Sequence, residues 1–228
     1  RGGVLVRSGH TEAGIDLSIL AGLPPVSLLA ELVNDDGTVQ RLPQLLEFAK
    51  AHELKIISIA DLIAYRQMRE QLVERTMEFE VNTRIGTARA IAYRTEFEDA
   101  EHIALVFGDV GPSMPVRIHR EKLLDDVFGS QTHHPQNLLD VSLDRIEKLG
   151  SGVLIYLRSG AVGVPLDSLA EQTKEDSRKM AWLEIGVGAQ ILRDLGLTSI
   201  RLIAGREVDY VGVEGFGLKL ESTELLTP

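Results

Sequence analysis

Four short apolar runs follow one another in the middle of the chain, at residues 77–81, 88–93, 102–107 and 115–119. Runs of that length separated by turn residues read as strands, and Arg84-Ile85-Gly86-Thr87 between the first two reads as a hairpin turn. Further on the pattern changes. Helical periodicity covers about 138–149, a strand-like run covers 153–158, and a helix over about 185–195 is closed by Gly196. Strands near 200–203 and 218–221 complete the segment. The order, β-rich first and β–α alternating later, predicts an α+β fold class with a mixed α/β second module.

Upstream the punctuation differs. Residues 4–7 read as a short strand, and Thr11 is placed to cap a helix to about residue 21, with Glu12 in its first turn and Gly22, Pro24 and Pro25 as the stop. Residues 26–33 read as a buried strand that carries one acid, Glu31, before the turn cluster Asn34-Asp35-Asp36-Gly37. Pro43 suits the first turn of a helix to about 52, residues 56–58 a brief strand, and residues 59–71 a helix. The charged stretch 66–75 is the expected linker, giving domains at 1–70 and 74–228. Because a strand-like segment begins at Arg1-Gly2-Gly3 with no methionine, the expectation is the C-terminal part of a longer protein.

Composition removes several functions. The 34 acidic and 24 basic residues leave a charge of −10, which repels nucleic acid and anionic lipid, so neither is expected as a partner. With no cysteine there is no disulfide, thiolate metal site or cysteine nucleophile. No apolar run reaches the roughly 18 residues of a spanning helix, and no signal peptide is visible, so a cytoplasmic protein is expected.

Two features carry chemistry. Arg7-Ser8-Gly9-His10-Thr11-Glu12-Ala13 lies at an expected strand-to-helix junction, where helix N–H groups, the Arg7 cation and the Thr11 hydroxyl suit a phosphate. His10 is then a metal ligand or proton carrier. The competing reading has Thr11 merely capping and His10 on the surface. Glu31, flanked by Leu28-Leu29-Ala30 and Leu32-Val33, is a buried carboxylate suited to a general base, or else points outward from an edge strand.

The first of these motifs, with Glu31, Asn34-Asp35-Asp36-Gly37-Thr38 and Ile59-Ala60-Asp61-Leu62-Ile63-Ala64-Tyr65-Arg66, resembles the C-terminal third of the 3,4-dihydroxy-2-butanone 4-phosphate synthase family. The resemblance implies conversion of ribulose 5-phosphate to a four-carbon riboflavin precursor plus formate, with magnesium or manganese, in a homodimer. It implies His10 as metal ligand and catalytic group, Arg7 and Thr11 as phosphate ligands, and Glu31 as the proton-transfer residue. The family's acidic loop, which supplies the other metal ligand, lies upstream of these motifs.

From about Val73 onward the chain resembles GTP cyclohydrolase II, so the whole is similar to the bifunctional riboflavin-biosynthesis family that fuses the two enzymes. The resemblance rests on Pro115-Val116-Arg117-Ile118-His119, Asp126-Val127-Phe128-Gly129-Ser130, Gly152 to Arg158, Gly186 to Gly196 and Gly212-Val213-Glu214-Gly215-Phe216-Gly217. The family's three zinc-binding cysteines fall at Lys122, His133 and Pro135, none of which is a thiolate. Its Arg-Gln-Glu-Gly-Arg stretch reads Arg158-Ser159-Gly160-Ala161-Val162, and its Thr-Asn-Asn-Pro reads Ala204-Gly205-Arg206-Glu207. The segment that supplies its catalytic tyrosine is shortened. A cyclohydrolase fold without zinc or cyclohydrolase activity is therefore expected, serving a dimerising, stabilising or regulatory role. Two alternatives stand beside it: a cyclohydrolase II with an altered metal site near His133 and His134, and a module that senses a nucleotide or flavin. Gly186-Val187-Gly188 lacks a dinucleotide fingerprint and is read as a close-packing helix start.

Overall fold

The computed structural model describes residues 2–95, 100–129, 137–158, 185–205 and 216–226. The chain divides into two compact units, Arg1–Arg66 and Gln67–Pro228.

The larger unit is built on seven strands: β1 (Val73–Thr83), β2 (Gly86–Thr95), β3 (Glu101–Phe107), β4 (Met114–Arg120), β5 (Gly152–Leu157), β6 (Ser199–Ala204) and β7 (Lys219–Leu225). Their order in the sheet is β1-β2-β3-β5-β4-β6-β7. The first four neighbours pair antiparallel, and β5-β4-β6-β7 pair parallel. The expected hairpin is present. Thr83 faces Gly86 across the turn at Arg84-Ile85, and Gly86, just after it, takes a positive φ of 117° that favours glycine.

Apolar alternation sets the two faces of the sheet. Val153 and Ile155 of β5 enter one core, with Ile91, Tyr93, Ile191 and Leu192. Leu154 between them enters the other, with Ala88, Phe107 and Ile146 of helix α5 (Leu138–Leu149). A strand covered on both faces has no polar side to show, which is why Gly152–Leu157 reads as an unbroken apolar run. Helix α5 starts where Asn137 accepts from Leu139 N at 2.9 Å and ends at Gly150 in the left-handed region. The short helix α4 (Leu123–Phe128) has no counterpart among the elements expected from the sequence. Its six residues are too few for a period to declare itself.

Residues 185–194 are helical, as expected. Their glycines serve packing: a Cβ on Gly188 would lie 2.8 Å from Ile118 Cδ1, and one on Gly186 would lie 2.7 Å from the Gln67 side chain. The stretch 66–75, expected to be helical throughout, is helical only to Arg69. Helix α3 (Ile59–Arg69) ends, β1 begins at Val73, and Gln190 fastens the stretch between. Its amide donates to Gln67 O at 2.7 Å and Glu70 O at 2.8 Å and accepts from Leu72 N at 2.7 Å.

The smaller unit holds α1 (His10–Leu20), α2 (Leu42–Ala51) and most of α3. Three expected strands are absent. Gly3–Leu5 is a 3-10 turn, residues 56–58 are irregular, and residues 26–33 are extended with a lone bridge at Val33–Val39. A strand needs a partner for its N–H and C=O groups, and no strand runs beside these segments among the described residues. Pro43 does occupy the first turn of α2. Among residues 2–66 only Val4, Leu5, Asp16, Ala49 and Leu62 are buried, while Leu28 is 95% exposed. A core of four apolar side chains is far too small to hold a unit of this size firmly. In hydrogen exchange on this chain, amides of residues 21–58 should exchange at least a hundredfold faster than those of β2, β3 and β5. Equal protection in the two sets would contradict this reading of the burial.

Candidate functional site

In the smaller unit, Arg7, His10 and Thr11 occupy one turn of chain. Helix α1 starts at His10 with Gly9 as its cap, so Thr11 lies inside the first turn rather than capping it. Gly9 is extended there, and Ala13 N donates back to Gly9 O at 3.0 Å. Arg7 donates to Glu12 Oε1 at 2.8 Å. That hydrogen bond, followed by the helix-start backbone bond and offset in part by desolvation, holds the Glu12 carboxyl below its ordinary value. His10 is exposed and lines an open groove of about 470 Å³, together with Gly14 and Leu17 of α1 and with Leu28, Ile57 and Leu62. Gly14 matters to the groove wall, since a Cβ there would lie 2.3 Å from Ser27 Oγ.

Glu31 is not buried. The apolar neighbours that suggested burial are themselves exposed, Leu29 at 53% and Leu32 at 36%, because no sheet covers the 26–33 segment. No hydrogen bond or ion pair among the described residues joins Glu31 to Arg7, His10 or Thr11. For a divalent cation the unit offers the accessible His10 ring. No group of three His, Cys, Asp or Glu side chains that could hold a metal occurs among the described residues. Magnesium prefers several oxygen donors, so this chain's residues would supply one corner of such a site and no more.

A buried ion pair, absent from the sequence-based expectations, lies behind the turn. Asp16 Oδ2 accepts from Val4 N at 2.8 Å and from Arg66 Nη1 at 2.9 Å, and Arg66 Nη1 also donates to Gly2 O at 2.8 Å. One signal does point to it: Asp16 stands between Ile15 and Leu17, as Glu31 stands among leucines.

In the larger unit, the carboxyl ends of parallel strands β4, β5 and β6 are where a doubly wound sheet places its ligands. Here that edge holds a buried polar cluster. His119 Nε2 lies 3.0 Å and 3.1 Å from the two Asp126 oxygens. Tyr156 Oη donates to Asp126 Oδ2 at 2.8 Å, as does Lys122 N. The His119 and Tyr156 rings stack with centroids 5.5 Å apart. Burial by itself raises the Asp126 carboxyl, but the His119 bond and charge and the Lys122 and Tyr156 bonds outweigh it, and the net shift is downward. Burial, then the bond to Asp126, pushes the Tyr156 phenol well above its ordinary value. Nearby, desolvation and then the charge of Arg158 lower His102, whose Nδ1 accepts from Arg158 N at 3.2 Å. Both Asp126 oxygens are engaged, while His119 Nδ1 is buried with no hydrogen-bond partner among the described residues.

The donors that the resemblance to cyclohydrolase II implies for zinc are thiolates, and the chain has no cysteine. Lys122 contributes its backbone N–H to Asp126. Positions 133, 135 and 159–184, on which several expected departures fall, lie outside the described residues.

Comparison with known proteins matches residues 74–224 to the GTP cyclohydrolase II family and residues 1–65 to the 3,4-dihydroxy-2-butanone 4-phosphate synthase family. A bifunctional riboflavin biosynthesis protein of Arabidopsis thaliana, described as chloroplastic, is 43% identical over 235 residues, covering 96% of this chain and 43% of that protein. The riboflavin biosynthesis protein RibBA of Bacillus cereus is 42% identical over 234 residues, covering 96% of this chain and 59% of its own length. The chain thus spans about half the length of the curated relatives it matches. Among solved structures, RibBX of A. baumannii, described as a two-domain 3,4-dihydroxy-2-butanone 4-phosphate synthase, matches all of this chain and 61% of its own. The TM-score is 0.76 at 35% identity. No helix among the described residues is long and apolar enough to cross a membrane.

Proposed function

The chain belongs to the riboflavin-biosynthesis family that joins a 3,4-dihydroxy-2-butanone 4-phosphate synthase to a GTP cyclohydrolase II domain, and from that membership we propose that its live chemistry is the synthase reaction alone. In this reading the protein that carries the chain converts ribulose 5-phosphate to 3,4-dihydroxy-2-butanone 4-phosphate and formate. Arg7 and Thr11 take the sugar phosphate at the start of α1, His10 provides one metal ligand, and Glu31 moves a proton. The metal, magnesium or manganese, would polarise the substrate's oxygens when bound. The remaining donors would come from residues outside this chain, in a homodimer.

The larger unit keeps the cyclohydrolase framework as a stabilising, dimerising or regulatory domain and does not open the guanine ring. The single observation that carries this is the donor set: the sequence contains no cysteine to supply a thiolate. The similar structure from A. baumannii, described as a two-domain 3,4-dihydroxy-2-butanone 4-phosphate synthase, supports the synthase half of this reading.

The experiment is a pair of assays on the full-length protein. Formate should appear with ribulose 5-phosphate and magnesium, and none with GTP and zinc. Turnover of GTP would reject the reading of the larger unit, and failure with the sugar phosphate would reject that of the smaller one.

A further inference from the structure

We propose that Asp16 is a positioning residue for the sugar-phosphate site, an inference that rests on the synthase reading above. The carboxylate is 5% exposed, the only charged residue that is buried among residues 2–66. It closes a loop. Its bond to Val4 N ties the 3-10 turn to the second turn of α1, and Arg7, His10 and Thr11 all lie on the chain between those two points. Arg66 of α3 locks the closure from behind by donating to both Asp16 and Gly2 O. Gly2 and Gly3 have φ of 93° and 56°, which bring the backbone round, and a Cβ on Gly3 would lie 2.0 Å from Asp16 Oδ1.

The other contact at this turn cannot do that task. The Arg7–Glu12 pair has Arg7 75% exposed, and pairs of that kind constrain little in water. A buried carboxylate–guanidinium pair, by contrast, is weak as a stabiliser but fixes one geometry among several, because moving either partner strands a charge. The direction in which Arg7 and the first α1 N–H groups point is therefore set by Asp16. A phosphate dianion gripped from both sides of the loop is sensitive to that direction, while the proton transfer assigned to Glu31 is not.

The test is steady-state kinetics of full-length wild type, Asp16→Asn and Asp16→Glu with ribulose 5-phosphate, with inorganic phosphate as a competing ligand. The asparagine oxygen, placed where Oδ2 lies, can still accept from Val4 N and Arg66 Nη1 but carries no charge to face Arg66. Expected are a KM and an inhibition constant for phosphate both raised roughly tenfold or more, with kcat held within about threefold. An unchanged KM, or a fall in kcat alone, overturns the proposal. If the asparagine variant does not fold, Asp16→Glu decides: it keeps the charge but pushes the turn outward, so it too should raise KM, and a wild-type KM overturns the proposal. A wild type that never turns over the sugar phosphate is a different result, removing the synthase reading and this inference with it.

Discussion

Asp126→Ala should destabilise the larger unit by about 3–5 kcal/mol, the range for stranding a buried partner. Its carboxylate is 3% exposed and collects bonds from His119, Tyr156 and Lys122 N, binding the α4 start to β4 and β5. Truncation leaves those donors buried without an acceptor. It also removes what keeps α4 in place, since no side chain caps that helix. For a unit of this size the melting temperature should drop by on the order of 10 °C. Asp126→Asn, which retains an acceptor, should lose less than half as much. A pH signature accompanies the change. Asp126 titrates below its ordinary 3.8 in the folded chain, so the unfolded chain binds more protons on acidification. Its contribution is complete above about pH 4 and is lost as pH falls through the folded value, and the alanine variant should lack that part of the acid sensitivity. Chemical denaturation of both variants from pH 3 to 7 measures this. A loss under about 1 kcal/mol for alanine would show that the cluster is not a structural clamp.

Glu31→Gln should lower kcat of the full-length synthase by about 10²–10⁴-fold, the span ordinarily removed with a general acid–base group. The glutamine is isosteric and the side chain is exposed without a hydrogen bond among the described residues, so stability should change by less than about 0.5 kcal/mol. This pairing of effects distinguishes a chemical role from a packing role. A large stability loss with activity falling in proportion would assign Glu31 to structure. Unchanged turnover would remove it from the reaction.

How much of this is legible in the sequence divides along the two units. Strands β1 to β7 and helix α5 are readable because each pairs or packs within the chain, so alternation such as Val153-Leu154-Ile155 records real neighbours. The smaller unit misleads for the same reason turned round. Residues 26–33 have the composition of a strand, but composition cannot supply a hydrogen-bonding partner, and the segment stays exposed with Glu31 on it. The helix start beside Arg7 to Thr11 is readable from Thr11 and Glu12, although the cap is Gly9, and its use for a phosphate is a proposal. Asp16 shows only as an acid between Ile15 and Leu17, and its pairing with Arg66 is not readable, since a bond across 50 residues leaves no local pattern. His119 and Asp126 are visible as framework residues, but their joining depends on α4, which is too short to be seen.

The central claim is that a cyclohydrolase framework persists here without its zinc chemistry. Its most direct measurement is elemental analysis of the purified chain combined with a GTP assay on the same sample. The expected result is less than about a tenth of an equivalent of zinc and no release of formate or pyrophosphate, since a chain without thiolates lacks the usual cage for the ion. One equivalent of zinc retained through chelation, with formate and pyrophosphate accumulating from GTP, would contradict it.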